Sequence, residues 1–168
     1  WIAFYSFTKR FTALAHLFLG GALAASPIAA AIAVRPGSLA DTPSLWLLGG
    51  MVLFWVAGFD VLYALQDLDF DRSANLRSIP ARLGAARAVA VSRVMHALAF
   101  ALLVGVVVAD ARLGALFAGA TGLIGALLVC EHWWLAKRGV LGLPMAFGVI
   151  NGVVSCVAGV FGVLDTLV

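Results

Sequence analysis

The chain has 168 residues, 64% of them hydrophobic and 11% charged, with a mean hydropathy of +1.09 and a formal net charge of +3. Water-soluble domains carry about 25% charged residues, so this composition excludes a soluble globular fold and makes the lipid bilayer the expected solvent. The basic residues are punctuated by apolar runs rather than gathered on one polar face, which argues against nucleic acid as a partner.

In a bilayer only helices and closed barrels satisfy every backbone group, and the apolar runs here lack the two-residue alternation of barrel strands. The expectation is an all-α integral membrane bundle, at about 20 apolar residues per crossing. The chain begins at Trp1 with no charged leader or cleavage signal ahead of its first apolar run, as expected of a segment from inside a longer protein. A short stretch, Tyr5-Ser-Phe-Thr-Lys9-Arg10, precedes a first predicted span over residues 11–34, where Pro27 predicts a kink. A tight joint at 35–43 leads to a second span over 44–65, and a polar stretch at 66–82 follows. The third span covers 85–109, the fourth 113–135 after a turn at 110–112, and the fifth 143–163. Gly148 and Gly152, four apart in the fifth span, predict close helix packing. Cys130 and Cys156 fall within spans without metal-ligand spacing and read as small core residues; His16, His96 and His132 read as packing or interfacial residues.

Lys9, Arg10, Arg72, Arg77, Arg82, Arg87, Arg93, Lys137 and Arg138 fall on one side of this topology, and only Arg35 and Arg112 on the other. The positive-inside rule therefore predicts that the 66–82 stretch and the Lys9-Arg10 pair share the cytoplasmic face.

The chemistry is concentrated in Asp60-Val-Leu-Tyr63-Ala-Leu-Gln-Asp67-Leu-Asp69-Phe-Asp71-Arg72. On a continuous helix, Asp60, Asp67 and Asp71 fall within about 20° of one direction and Tyr63 about 60° away, with Asp69 opposite as a solvated acid. Asp60 lies inside the apolar run, where a carboxylate is costly unless it meets protein, water or a cation. Like charges on one stripe repel, and oxygen-only donors suit Mg²⁺, which takes one or two carboxylates and bridges to phosphate oxygens. Two readings stay open for Arg72, Arg77 and Arg82: positive-inside residues, or cations placed to meet phosphate. Tyr5, Lys9 and Arg10 are either interfacial anchors or a cation cluster facing the acids, the arrangement a diphosphate needs. Asn151 and Ser155, four apart on the fifth span, line a cavity or bond between helices.

The string DVLYALQDLDFDR, followed by LRSIPARLG, resembles the second aspartate-rich motif, DxxYAxxDxxxD, of the UbiA superfamily of membrane prenyltransferases. Within that superfamily the likeness is strongest to 4-hydroxybenzoate polyprenyltransferases and their menaquinone-pathway relatives. Tyr5 and Lys9 match the YxxxK element, and Glu131-His132 and Asn151-Gly152 resemble the tail of these enzymes. The resemblance implies a nine-helix bundle whose two acidic loops hold Mg²⁺ against an allylic prenyl diphosphate, with transfer of the prenyl group to an aromatic acceptor such as 4-hydroxybenzoate. It implies metal binding by Asp60, Asp67 and Asp71, and substrate contact by Tyr5, Lys9, Arg10, Tyr63, Arg72, Arg77 and Asn151. The family's first motif, NDxxDxxxD, has no counterpart, since the only asparagines are Asn75 and Asn151. The five spans then match the family's last five, and the missing N-terminal helices of the same protein are the expected partner. A different acceptor, such as haem or a chlorophyll precursor, and a transporter fragment with Asp60 as its ion site are the alternatives.

Overall fold

Five runs fold as helices long and apolar enough to cross a bilayer, in the computed structural model that describes residues 2–167, without the side chains of Ile2 and Ser6. Trp1, where the chain begins, lies outside the described residues. The short α1 (Ile2–Thr8) precedes α2 (Ala15–Val34); α3 (Ser38–Asp41) links it to α4 (Pro43–Tyr63). Two short helices, α5 (Leu68–Ser73) and α6 (Ile79–Leu83), lead to α7 (Ala85–Ala109) and α8 (Ala115–Arg138). A 3-10 turn at Gly139–Gly142 and a wide π-turn at Met145–Ile150 precede α9 (Asn151–Leu167). No strand occurs among the described residues.

Local chemistry sets the ends of these helices. The first span starts at Ala15 rather than at residue 11, because Arg10 and Phe11 close a turn by donating to Phe7 O and Thr8 O at 3.0 and 3.1 Å. Pro43 opens α4 at a position where no amide donor is needed. Ser78 caps α6, its hydroxyl accepting from the Ala81 amide at 3.3 Å. Gly139, at φ +56°, ends α8 in a conformation that favours glycine, just after Lys137 and Arg138 complement the helix dipole.

Helix α4 sits between α2 and α7, while α8 packs on α7 and α9. Met51, Leu103, Ile124 and Val154, from α4, α7, α8 and α9, form one buried core; Ala57, Val61, Ala88 and Met95 form another nearer the α6 end. Lipid tails are as apolar as these side chains, so close approach rather than hydrophobic expulsion holds such helices together. Gly20 shows the device: the α4 backbone at Leu53 lies where its side chain would stand. The expected use of Gly148 and Gly152 is not found, since open space faces both, and Gly20, Gly58 and Gly125 make the close approaches instead. Cys130 and Cys156 are likewise exposed rather than in the core, on outward faces where a small apolar thiol suits lipid.

The end of the bundle far from the acidic string is tied by two carboxylates. Asp165 accepts from the Gly114 and Phe117 amides, binding the end of α9 to the start of α8. Asp110 accepts from Arg112 at 2.8 and 2.7 Å and from the Ser44 hydroxyl at 2.9 Å, joining the α7–α8 turn to α4. The Arg112 hydrogen bonds, aided by Ser44, hold the Asp110 carboxyl down from its ordinary 3.8 to about 2. A carboxyl with a depressed folded-state value stabilises above its unfolded value and loses that contribution as pH falls through the folded one. The excess thermal stability of the wild type over Arg112→Ala, followed in detergent, is therefore expected to be constant above pH 3.8 and to vanish as pH approaches about 2. A pH-independent difference would show that the pair is held by geometry without charge.

Candidate active site

The acidic string does not continue α4 as one straight helix. After Tyr63 the backbone tightens: Leu65, Gln66 and Asp67 donate to Leu62, Tyr63 and Ala64 three residues back, at 3.1, 3.1 and 3.2 Å. A 3-10 turn winds faster than an α-helix, so the expected single stripe is broken, and Asp67 becomes the residue that opens α5. The physical cause is compositional, because Gln66 and Asp67 are exposed and offer no apolar face to hold α4 straight.

The carboxylates consequently meet different surroundings. Asp60, on the last turn of α4, is 21% exposed and its Oδ2 lies 2.6 Å from His16 Nδ1. His16 is fully buried, and its Nε2 accepts from the Ile79 amide at 3.3 Å, so Nδ1 carries the proton and donates to Asp60. One imidazole thus ties α2, α4 and α6 together. Asp67 and Asp69 are exposed. Asp71 is 2% exposed, with Lys9 Nζ 3.7 Å from its Oδ2, and that oxygen has no hydrogen-bond partner. No group of three His, Cys, Asp or Glu side chains converges as a metal cluster among the described residues.

The basic residues cluster around this segment. The Arg77 amide donates to Lys9 O at 2.6 Å and its guanidinium to Phe11 O at 2.9 Å, stitching the N-terminal stretch to the loop after α5. Arg72 donates to Ala81 O at 3.4 Å. Arg72, Asn75, Arg77 and Arg82 line a cleft of about 570 Å³. Asn75 takes φ +54°, a left-handed turn that asparagine tolerates, and lets the chain double back there. Tyr5 is half-buried on α1, its carbonyl accepting from Thr8 Oγ1 at 2.5 Å, and Arg10 is exposed with its guanidinium 5.3 Å from the Phe7 ring centre.

Beside the acids runs a row of rings. Trp55 and Phe59, then Phe59 and Phe147, meet edge to face at 5.5 and 5.4 Å, and Phe147 lies 4.4 Å from Tyr63. Trp55, Phe59 and Tyr63 recur every four residues on α4, and Phe147 comes from the π-turn. Tyr63 and Phe147 are 41% and 39% exposed, an apolar wall adjoining Asp60.

Sequence reasoning missed the partnerships of His16 and of Glu131, His96 and His132, which gather beside Asn151. It took the three histidines for packing or interfacial residues. The signal for His16 was present, because a carboxylate inside an apolar run requires a partner. Asn151 was found, yet the structure buries it to 6% exposure against Trp55 and Glu131. Ser155 bonds back to the Asn151 carbonyl at 3.0 Å, within its own helix.

The sequence profile described as the UbiA prenyltransferase family matches residues 1–147. A 4-hydroxybenzoate octaprenyltransferase from Alcanivorax borkumensis is 33% identical over 122 residues, which cover 72% of this chain and 39% of that protein. One of the same description from Marinomonas sp. is 38% identical over 76 residues, 45% of this chain and 26% of that protein. Among solved structures, the apo structure of a UbiA homolog from Aeropyrum pernix K1 superposes with a TM-score of 0.79 at 34% identity, covering 96% of this chain and 58% of that one. The chain therefore spans well under two thirds of the relatives it matches.

Proposed function

Because the chain belongs to the UbiA prenyltransferase family, as an integral membrane bundle of its fold, we propose that it forms the C-terminal part of an enzyme that moves a prenyl group from an allylic diphosphate to an aromatic acceptor. The acceptor is 4-hydroxybenzoate or a close analogue, in quinone biosynthesis, the substrate class that the names of its relatives support. The observation that carries this reading is that the acidic string, whose far end runs into an arginine-lined cleft, itself carries Tyr63, the last ring of the aromatic wall. A prenyl diphosphate has the same two parts, a polyanion and an apolar chain.

The donor set fits Mg²⁺. Asp71 Oδ2 is buried without a hydrogen-bond partner, Asp60 and Asp67 keep solvent-accessible carboxylates, and all donors are oxygen. Asp60, Asp67 and Asp71 do not converge on one point among the described residues, but Mg²⁺ takes only one or two carboxylates beside phosphate oxygens, so each of the three would offer oxygens to it singly, and its chemistry would be to neutralise charge on a departing diphosphate. The protein's own groups do the rest. Lys9, Arg10, Arg72 and Arg77, with Tyr5, grip the diphosphate oxygens and stabilise the negative charge that grows as the allylic carbon–oxygen bond breaks. Both electrons of that bond leave with the diphosphate. The wall formed by Tyr63, Phe147 and Phe59 excludes water from the allylic cation and stabilises it through ring faces. An electron-rich ring carbon of the acceptor then forms the new carbon–carbon bond, and its proton passes to the released diphosphate, directly or through water, to restore aromaticity. The acidic loop would lie on the cytoplasmic face of the bacterial inner membrane, by the distribution of lysine and arginine. The family's first acidic motif would come from N-terminal helices of the same protein.

The test is prenyl transfer to 4-hydroxybenzoate by the full-length protein in membranes, with Mg²⁺ and with a chelator. Metal-dependent formation of the prenylated acid is expected. Absence of product with 4-hydroxybenzoate and with related phenolic acids would overturn the assignment.

A further inference from the structure

The aromatic wall is fastened from behind by a single amide. Asn151 is the first residue of α9, immediately after the π-turn, and its Oδ1 accepts from Trp55 Nε1 at 2.9 Å. Its Nδ2 donates to the Ala146 carbonyl of the π-turn at 3.0 Å and to Glu131 Oε1 at 3.3 Å. An indole nitrogen only donates and a carbonyl only accepts, so these partners settle which end of the amide is which. Both amide hydrogens are used inside the protein, and Oδ1 accepts one of the two hydrogen bonds it can take.

Glu131 is 1% exposed, and its other oxygen lies 3.5 Å from His96 Nδ1, which is itself 3.1 Å from His132 Nε2. Burying so many polar groups among apolar helices is costly in a protein that needs only packing. The placement gives them a use. The Trp55 ring opens the row that runs through Phe59 and Phe147 to Tyr63, and the π-turn delivers Phe147 into that row. Asn151 therefore holds both the first ring and the backbone that carries the third.

We propose that Asn151, oriented by Glu131, is a positioning residue that fixes the four-ring wall and through it the seat of the prenyl chain. This rests on the reading above that the wall faces the prenyl substrate. Asn151 touches no substrate in this account, and it acts through the Trp55 N–H and the Ala146 carbonyl.

The experiment is a double-mutant cycle in the full-length enzyme. Trp55→Phe keeps a ring but removes the N–H, and Asn151→Leu removes the amide. Trp55→Phe is expected to raise KM for geranyl diphosphate about five- to tenfold, the worth of one neutral hydrogen bond, and Asn151→Leu, which also frees the Ala146 carbonyl and Glu131, to raise it further, each with a smaller change in kcat. Because both cut the same link, the double variant should be no worse than the poorer single one. Glu131→Gln retains an acceptor for the amide and should restore what Glu131→Leu loses. Multiplying effects, or an unchanged KM, would overturn the relay.

A second measurement does not need turnover. In the chain with Trp1, Trp46, Trp133 and Trp134 replaced by phenylalanine, Asn151→Leu should shift Trp55 emission and raise its accessibility to acrylamide. An identical Trp55 signal overturns the relay even if the enzyme is inactive, whereas absent turnover with a shifted signal sinks only the functional reading.

Discussion

Asp71→Asn is expected to lower Mg²⁺-dependent prenyl transfer at least about a hundredfold, the scale of losing one group that neutralises transition-state charge, while the protein stays folded in the membrane. Asp71 is buried on α5 with one oxygen that has no hydrogen-bond partner and with Lys9 3.7 Å away. An incompletely satisfied buried carboxylate costs stability unless a cation completes it, and the Lys9 side chain is itself 32% exposed. Lys9→Met separates the two roles that remain. If Asp71 serves only to hold Lys9, the two variants lose activity equally and their Mg²⁺ requirement is unchanged. A metal-binding Asp71 instead raises the Mg²⁺ concentration needed for half-maximal activity, and Lys9→Met leaves it where it was. Activity titrated against Mg²⁺ decides between them, and unchanged turnover in Asp71→Asn would remove the residue from the site.

His16→Leu is expected to destabilise the bundle by about 2–4 kcal/mol, from one buried and one partly buried polar group losing their partner at about 1–3 kcal/mol each, discounted because Asp60 keeps some exposure. The Ile79 amide and the Asp60 carboxylate are those groups, and both lie where helices meet. The loss should be read as a lower unfolding midpoint in detergent. Pairing it with Asp60→Leu sharpens the test. Removing both partners leaves no orphaned charge, so the double variant should recover part of the stability that His16→Leu alone loses. Additive losses would show that His16 contributes by packing alone. Activity should not recover in the double variant, since Asp60 is then missing from the acidic segment.

Much of the architecture was legible because apolar length is a strong signal. The second and third spans were placed almost to the residue, at Pro43–Tyr63 and Ala85–Ala109, since a proline and a glycine mark where each begins. The spacing Asp60, Asp67, Asp71 likewise singled out a candidate segment, because carboxylates at the edge of an apolar run have few structural uses. The inference about their direction failed. It assumed α-helical winding through Gln66, and three consecutive three-residue hydrogen bonds replaced it. Periodicity cannot register such a tightening, which depends on where the chain must go next, and here it turns back so that Asp71 meets Lys9 and Arg77 meets Phe11.

Composition and spacing by themselves determined that this chain lives in a bilayer, carries five helices long and apolar enough to cross it and bears an acidic segment flanked by arginines, since hydropathy and charge are sums over neighbouring residues. Partnership was decided only in three dimensions. His16 lies 44 residues from Asp60, and Trp55 lies 96 from Asn151. The sequence shows that an intramembrane carboxylate needs a donor and a buried amide needs two partners. Which groups answer is fixed by how α2, α4, α8 and α9 cross, because a hydrogen bond forms over about 3 Å and only packed helices bring such distant residues that close.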